Sequence, residues 1–435
     1  MRSKVKLTFS LLLLAALLVV MIAGCAQQQP VKPSGKITYR IAVFGDATAI
    51  YAADIGPQLN AYLDFGKWAN ETNYIPGVAL DFQVYDHGAD SSRAIAAFKE
   101  AASSTPKPLM VNDGYASTYA LLYKPLMEQN KIPGFGTSAL RSTCLPVSWY
   151  FSVLPSPESL IGAYTNWITE NWKKDSKVEW IRSHWHEGAP RMAFIAWDSP
   201  LGRACESPEV FAYMKSKGVE FAGAEYFPLA ASDPTPQLSR LKDKFDFAFV
   251  AMFPPHYAMI LQGADRLGMA GKYMAAVPNY FDPYALIART GKMADNTLCF
   301  NLFEMEFDKL PPYIQKAQMD RQYPKELFVY RGGWIIGDLF AQTIRKTIET
   351  YGIDKVTGET CYAAINSGAV KDYKPLAATE TFTFSNNDKL VKVLGLNSMN
   401  LGMITDGKWV PIESNRHMPR QFPGEPDVPQ QFMPK

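Results

Sequence analysis

Met192-Ala193-Phe194-Ile195-Ala196-Trp197 is an unbroken run of six apolar residues, and Phe245 to Met252 repeats it with a single acid, Asp246. Both runs are too short for helices and show no alternation. They suit strands buried on both faces, the environment of a parallel sheet between helical layers. Each is followed by a helical pattern. Strand–helix units therefore organise this part of the chain.

The same units extend upstream. Ser156-Pro157-Glu158 is an N-cap with proline at the first helical position, followed by Leu160, Ile161, Tyr164, Trp167 and Ile168 at helical spacing. Earlier still, Ile37–Phe44 is a β-rich run, Ile55 to Thr72 is amphipathic, and Ala79–Tyr85 alternates as a strand. Asp90-Ser91-Ser92 caps a helix with Ala94, Ile95 and Phe98 on one face. Pro108–Val111 is a further apolar run, and a helix begins near Ser117. Two successive series of this kind predict two α/β lobes, each an open, parallel, Rossmann-like sheet. No short internal repeat is present.

Composition agrees. The chain has 435 residues, 47% hydrophobic, 20% charged and 13% aromatic, which is globular rather than disordered. Lys+Arg (44) nearly balance Asp+Glu (42), so a formal charge of +2 excludes a strongly basic nucleic-acid binder as the default reading.

The N-terminus has its own logic. Met1 to Lys6 is basic, Leu7 to Ile22 is a sixteen-residue, largely apolar run, and Ala23-Gly24-Cys25 follows. This is a secretory signal, too short to be a comfortable membrane span. Ile22-Ala23-Gly24-Cys25 resembles a bacterial lipobox, which implies cleavage before Cys25 and its lipidation, with more than one acyl chain as anchor. Loss of Arg2, Lys4 and Lys6 takes the charge from +2 to −1. Cys144, Cys205, Cys299 and Cys361 remain, an even number that permits disulfides in an oxidising compartment, with three pairings open and buried thiols the alternative. Their spacings fit no CxxC site. Residues 26–35 read as a flexible tether. The stretch after Pro411, with Pro419, Pro423, Pro426, Pro429 and Pro434, reads as an irregular tail.

Several landmarks occur in a familiar order. They are Ile41-Ala42-Val43-Phe44-Gly45 with Thr48, Asn70 with Ile75-Pro76-Gly77, and Tyr85-Asp86 before Ser91-Ser92-Arg93-Ala94. Gly114-Tyr115-Ala116-Ser117-Thr118, Ile132-Pro133-Gly134-Phe135-Gly136-Thr137-Ser138 and Tyr150-Phe151-Ser152-Val153 with Pro155-Ser156 follow. Phe384 to Asp388 and Asp406-Gly407-Lys408-Trp409-Val410-Pro411 close the series. From Ile37 to Pro411 the chain resembles the Leu/Ile/Val-binding (branched-chain amino acid) family of substrate-binding proteins for ABC importers. The resemblance implies a type I periplasmic binding fold: two lobes joined by three crossovers, near Val153–Ser156, Leu298–Asn301 and Ala378–Thr383. The expected organisation is a lipoprotein signal peptide (1–24), a tether (25–36), lobe 1 (37–154 and 300–380), lobe 2 (155–299 and 381–412) and a proline-rich C-terminal tail (413–435).

The implied function is an extracytoplasmic receptor delivering an amino acid or a small carboxylate or amide to an ABC importer by hinge closure. It would be an exported, lipid-anchored monomer on the periplasmic face of the membrane, or at the cell surface of a Gram-positive cell. Its partners would be the solute and permease subunits, with no nucleic acid, cofactor, metal or enzymatic activity. The alternative is a ligand sensor of the same fold that reports to a signalling receptor.

Site residues follow from the same likeness. Ser117 and Thr118 open a helix whose free N–H groups suit a carboxylate, although Ser117 also makes a plain N-cap. In amino-acid binders of the family this turn and the Thr137 segment hold the α-carboxylate. Tyr51, Tyr115 and Trp197 are candidate walls, and the family's usual Tyr-Gly beyond Trp197 reads Leu201-Gly202 here. Amino-acid binders place an acid near Ala275–Tyr280 to neutralise the ammonium, because an unpaired buried charge is costly. This chain has Val277, Asn279 and Tyr280 there, with Asp282 beyond, which weakens the reading of an amine ligand in favour of a carboxylate or amide without one; with Asp54 as a substitute counter-charge, amino acids stay among the alternatives. His256 reads as a helix-start residue facing solvent, and Arg331 as a surface residue rather than a cleft one. His184-Trp185-His186-Glu187 lies in the charged stretch Lys173–Glu187, an exposed loop, and no HExxH, GxSxG, Walker or GxGxxG pattern accompanies it.

Overall fold

The computed structural model describes residues 35–418, apart from positions 115, 139, 145–147, 385–395 and 397. The first lobe holds β1 (Ile37–Gly45), β2 (Val78–Asp86), β3 (Met110–Asn112), β4 (Gly134–Gly136) and β5 (Tyr150–Ser152) in the order β2-β1-β3-β4-β5. The β1–β3, β3–β4 and β4–β5 pairs are parallel. The second lobe holds β6 (Arg191–Trp197), β7 (Glu220–Phe227), β8 (Phe247–Ala251), β9 (Met274–Val277), β10 (Thr297–Asn301), β11 (Ser398–Thr405) and β12 (Lys408–His417). Their order is β12-β11-β10-β9-β8-β6-β7. This is the expected two-lobed α/β fold, with one addition: β11 and β12 form an antiparallel hairpin on the edge of an otherwise parallel sheet.

The two opening runs became β6 and β8, and every residue of β8 is buried. The acid within the second run is tolerated because Arg191 grips it, Nη2 2.8 Å from Oδ1 and Nε 3.1 Å from Oδ2. Burial alone would raise the Asp246 carboxyl; those contacts hold it below its usual range. The predicted caps are also in place. Asp90 Oδ1 accepts from Arg93 N at 2.7 Å, and Ser156 Oγ from Ser159 N at 3.2 Å.

The long helix Val329–Tyr351 packs on helix Ala52–Glu71 and so belongs with the first lobe. A Cβ on Gly333 would lie 2.5 Å from Ala61 Cβ and 2.6 Å from the Gln58 carbonyl, so the axes approach as closely as they do because side chains are missing there. Of the crossovers, Val153–Ser156 links β5 to helix Pro157–Asn171. The second starts later than the sequence suggested: Leu298–Asn301 is β10 itself, paired on both sides, and the chain crosses from Leu302. There it meets the third crossover through Thr379 N to Leu302 O and Glu304 N to Ala377 O, each 2.9 Å.

Other expectations are amended. The chain does not turn irregular after Pro411, because β12 continues to His417; as an edge strand with a register shift beside it, β12 accommodates a proline. The Lys173–Glu187 stretch is no plain exposed loop: it contains helix Glu179–His184, whose Trp180 and Ile181 are buried. Arg331 is no surface residue. It is fully buried and donates to the carbonyls of Glu304 and Lys325, tying the second crossover to the long helix. Cys144, Cys205, Cys299 and Cys361 are all buried, and among the described residues none of the three disulfide pairings forms. The signal peptide, Cys25, most of the tether and residues 419–435 lie outside the described residues. No described helix is long and apolar enough to cross a membrane.

Candidate solute-binding cleft

In open α/β sheets the space beyond the carboxyl ends of the strands is left for ligands. Here those ends supply, from the first lobe, the segment Asp46–Tyr51 after β1 and the start of helix Ser117–Asn130 after β3. The second lobe supplies Trp197–Leu201 after β6, Phe253 after β8 and Tyr280 after β9. Together they enclose a cavity of about 160 Å³.

Its walls are aromatic. Trp197 meets Phe253 edge-on at 4.8 Å between ring centroids, and Phe253 meets Tyr280 at 5.3 Å. Tyr51 reaches over from the first lobe to Phe253 at 5.8 Å and Trp197 at 6.5 Å, so the lobes touch across the cavity. The backbone before Tyr51 is held by two carboxylates, one buried and one partly exposed. Asp46 accepts from the N–H groups of Thr48 (3.1 Å), Ala49 (2.6 Å) and Tyr51 (2.8 Å). Asp86 accepts from Ala47 N (3.0 Å) and Thr48 Oγ1 (2.6 Å).

The polar end is helix Ser117–Asn130. Its N-cap is Ala116, which has no side-chain acceptor to offer, and Ser117 is the first helical residue rather than the cap. The first N–H groups and the Ser117 and Thr118 hydroxyls therefore border the cavity with the positive end of the helix dipole behind them. The turn before it needs glycine: Gly114 has φ +68°, and a Cβ there would lie 2.0 Å from the Phe44 carbonyl oxygen. The Trp197 indole N–H and the Tyr280 hydroxyl are buried without a protein partner among the described residues. Among the described residues the only charged one in the lining is Asp198, which is exposed and paired with Arg203 at 2.8 Å. That hydrogen bond holds its carboxyl below the usual range.

The structure thus brings Tyr51, Ser117, Thr118, Trp197 and Tyr280 to one cavity. Thr137 and Asn279 line a smaller space that adjoins it through Leu201 and Tyr280. Tyr115 lies outside the described residues. Asp54 does not line the cavity; its charge acts on Asp282 and is itself favoured by Arg289. Sequence reasoning missed Phe253, although its place directly after a buried strand and before Pro254-Pro255 was a usable signal. It also missed Asp46, for which the backbone amides that it gathers leave no sequence pattern. His256 does not simply face solvent: its ring stands edge-on to Trp197 at 5.0 Å, and Nε2 lies 3.1 Å from the Leu229 carbonyl.

Burial raises the carboxyls of Asp54 and Asp282 to about 6. The folded protein thus binds their protons more tightly than the unfolded chain does. The stability this contributes is complete below about pH 4 and is lost as pH rises through about 6. For Asp282 the swing is on the order of 3 kcal/mol. Asp282→Asn keeps a competent N-cap for helix Pro283–Thr290. It should flatten the fall in thermal midpoint between pH 4 and 7; an unchanged slope would show that Asp282 is not its source.

The chain matches the model of the periplasmic binding protein family over residues 38–399 and belongs to that family, a class of solute-binding proteins. Among solved structures it is similar to a branched-chain amino acid ABC transporter protein from Thermus thermophilus with bound valine (21% identity, TM-score 0.74, 88% of this chain and 97% of that one). It is also similar to the leucine-binding protein LivK of Thermotoga maritima (14%, TM-score 0.67, 87% and 99%). A third likeness is to an ABC transporter solute-binding protein of R. palustris in complex with 4-hydroxybenzoate (17%, TM-score 0.64, 88% and 98%). At these identities the likeness establishes the fold. No curated protein sequence matches the chain.

Proposed function

We propose that this chain is the extracytoplasmic, lipid-anchored solute receptor of an ABC importer, and that its solute is a small carboxylate with an aromatic or aliphatic body and no ammonium group. One observation supports the solute class above all: a helix N-terminus without a side-chain cap opens into an aromatic box whose only acid among the described residues is already paired. The carboxylate would lie on the amides and hydroxyls of Ser117 and Thr118, with its body between Tyr51, Trp197, Phe253 and Tyr280. Because Tyr51 comes from one lobe and the other three rings from the other, a bound solute stabilises the closed arrangement, the form that a permease would recognise. Structural neighbours hold valine in one case and 4-hydroxybenzoate in another, so the fold accommodates both kinds of ligand. Ile22-Ala23-Gly24-Cys25 supports the anchor.

Thermal unfolding of the mature domain against amino acids, amine-free carboxylates and amides tests this. A solute at about 100 times its Kd adds roughly 2.7 kcal/mol. Carboxylates such as benzoate or 4-methylpentanoate are expected to raise the midpoint, and leucine and valine to leave it unmoved. A shift with the amino acids alone would overturn the solute class while leaving the receptor reading intact.

A further inference from the structure

Behind the cleft wall of the first lobe, Asp113 is fully buried and pairs with no cation among the described residues. Its Oδ1 accepts from Thr137 N (2.8 Å) and Thr137 Oγ1 (2.9 Å). Its Oδ2 lies 2.6 Å from Tyr150 Oη. That hydroxyl also lies 2.7 Å from the Ser138 carbonyl oxygen and takes the Ser138 N–H at 3.1 Å. Tyr150 has one proton, yet two oxygens that would have to accept it stand within 2.7 Å. With Asp113 ionised, one of these short oxygen–oxygen contacts holds no proton. With Asp113 protonated, every contact is satisfied: Oδ2–H donates to Tyr150, Tyr150 donates to the Ser138 carbonyl, and Ser138 N–H completes the acceptors of Tyr150.

We propose that Asp113 is a carboxylic acid that stays protonated at neutral pH and acts as a positioning residue, engaging the Thr137 amide and hydroxyl from inside and keeping this wall of the cleft uncharged. The packing enforces the contact. A Cβ on Gly136 would lie 2.0 Å from the Tyr150 hydroxyl oxygen, so only glycine lets the ring lie where it reaches Asp113. Burial pushes the Asp113 carboxyl upward and outweighs the hydrogen bonds from Thr137, Tyr150 and the Ser138 amide that act the other way. The neighbouring titratable groups are Tyr123 and Tyr150, whose hydroxyls burial pushes upward so that both stay neutral at pH 7, with Cys144 beside Tyr150. On the solute reading above, which this inference deepens, an ionised Asp113 would repel the incoming carboxylate, and the Thr137 donors are already taken. Recognition of the carboxylate then falls to the Ser117–Thr118 turn.

Infrared spectroscopy of the full mature chain carrying ¹³C-aspartate tests the protonation without any ligand. At pH 8 a carbonyl stretch of a neutral aspartic acid is expected, absent from Asp113→Asn, whose amide reproduces both the donor and the acceptor. Tyr150→Phe, which removes the acceptor of the acid proton, should shift or abolish the same band. A wild-type protein whose aspartates are all ionised at pH 8 would overturn the proposal whatever the variants do. A neutral band untouched by both substitutions would overturn it equally, since the band would then belong to another residue.

Discussion

Gly202→Ala is expected to damage stability and solute binding together. Gly202 lies in the short helix Pro200–Arg203, which starts immediately beyond β6 under the cap of Ser199. A Cβ there would stand 1.9 Å from the Trp197 carbonyl oxygen and 3.0 Å from Ala196 Cβ. A backbone oxygen in a buried central strand cannot rotate aside as a side chain does. The helix must lift, taking Pro200 and Leu201 out of the cavity lining and straining the Ser199 N to Trp197 O bond of 2.9 Å. A single added methyl should therefore cost at least ~3 kcal/mol. Affinity for the carboxylate identified by thermal unfolding should fall about 100-fold, a factor equal to some 2.7 kcal/mol. Denaturant unfolding and calorimetric titration read the two effects. A wild-type midpoint in both would show that the turn has slack.

Trp197→Ala should be comparable in size but divisible into parts. The indole is 6% exposed and stands against Phe253, Tyr51 and His256. Removing it leaves a cavity at a cost of about 3–5 kcal/mol. It also removes the ring that joins the lobes through Tyr51 and the indole N–H that has no protein partner. Truncating such a central aromatic typically costs 2–4 kcal/mol in binding. Trp197→Phe keeps most of the packing and loses the donor. It should recover most of the stability and only part of the affinity. If affinity survives Trp197→Ala while stability falls, the residue is core alone and the wall must be assigned elsewhere.

These effects concern a site that was only partly legible beforehand. Ser117, Thr118, Trp197, Tyr51 and Tyr280 could be named because each follows a strand that the sequence made visible, and position after a strand in an open sheet predicts proximity to the cleft. Asp54 shared that logic yet lies off the cavity, because helical phase within the first turn of Ala52–Glu71 turns Ile55, and not Asp54, toward it. Arg331 looked superficial, since a lone arginine in a helix usually is. Only the meeting of the second crossover with the long helix provided backbone carbonyls to satisfy it.

What the sequence determined alone was the alternation of buried runs and capped helices, the two lobes, and the shift of the cleft toward neutral, aromatic residues. Those features rest on local period, on N-cap chemistry and on which residue types are present, all of which are properties of neighbours in the chain. Tertiary structure decided the rest: that Asp46 gathers the amides before Tyr51, that Thr137 and Tyr150 both meet Asp113, and that glycines at 136 and 202 set the wall. These contacts join segments far apart in the chain at distances of a few ångströms. They are fixed by the packing of whole elements, which no local pattern records.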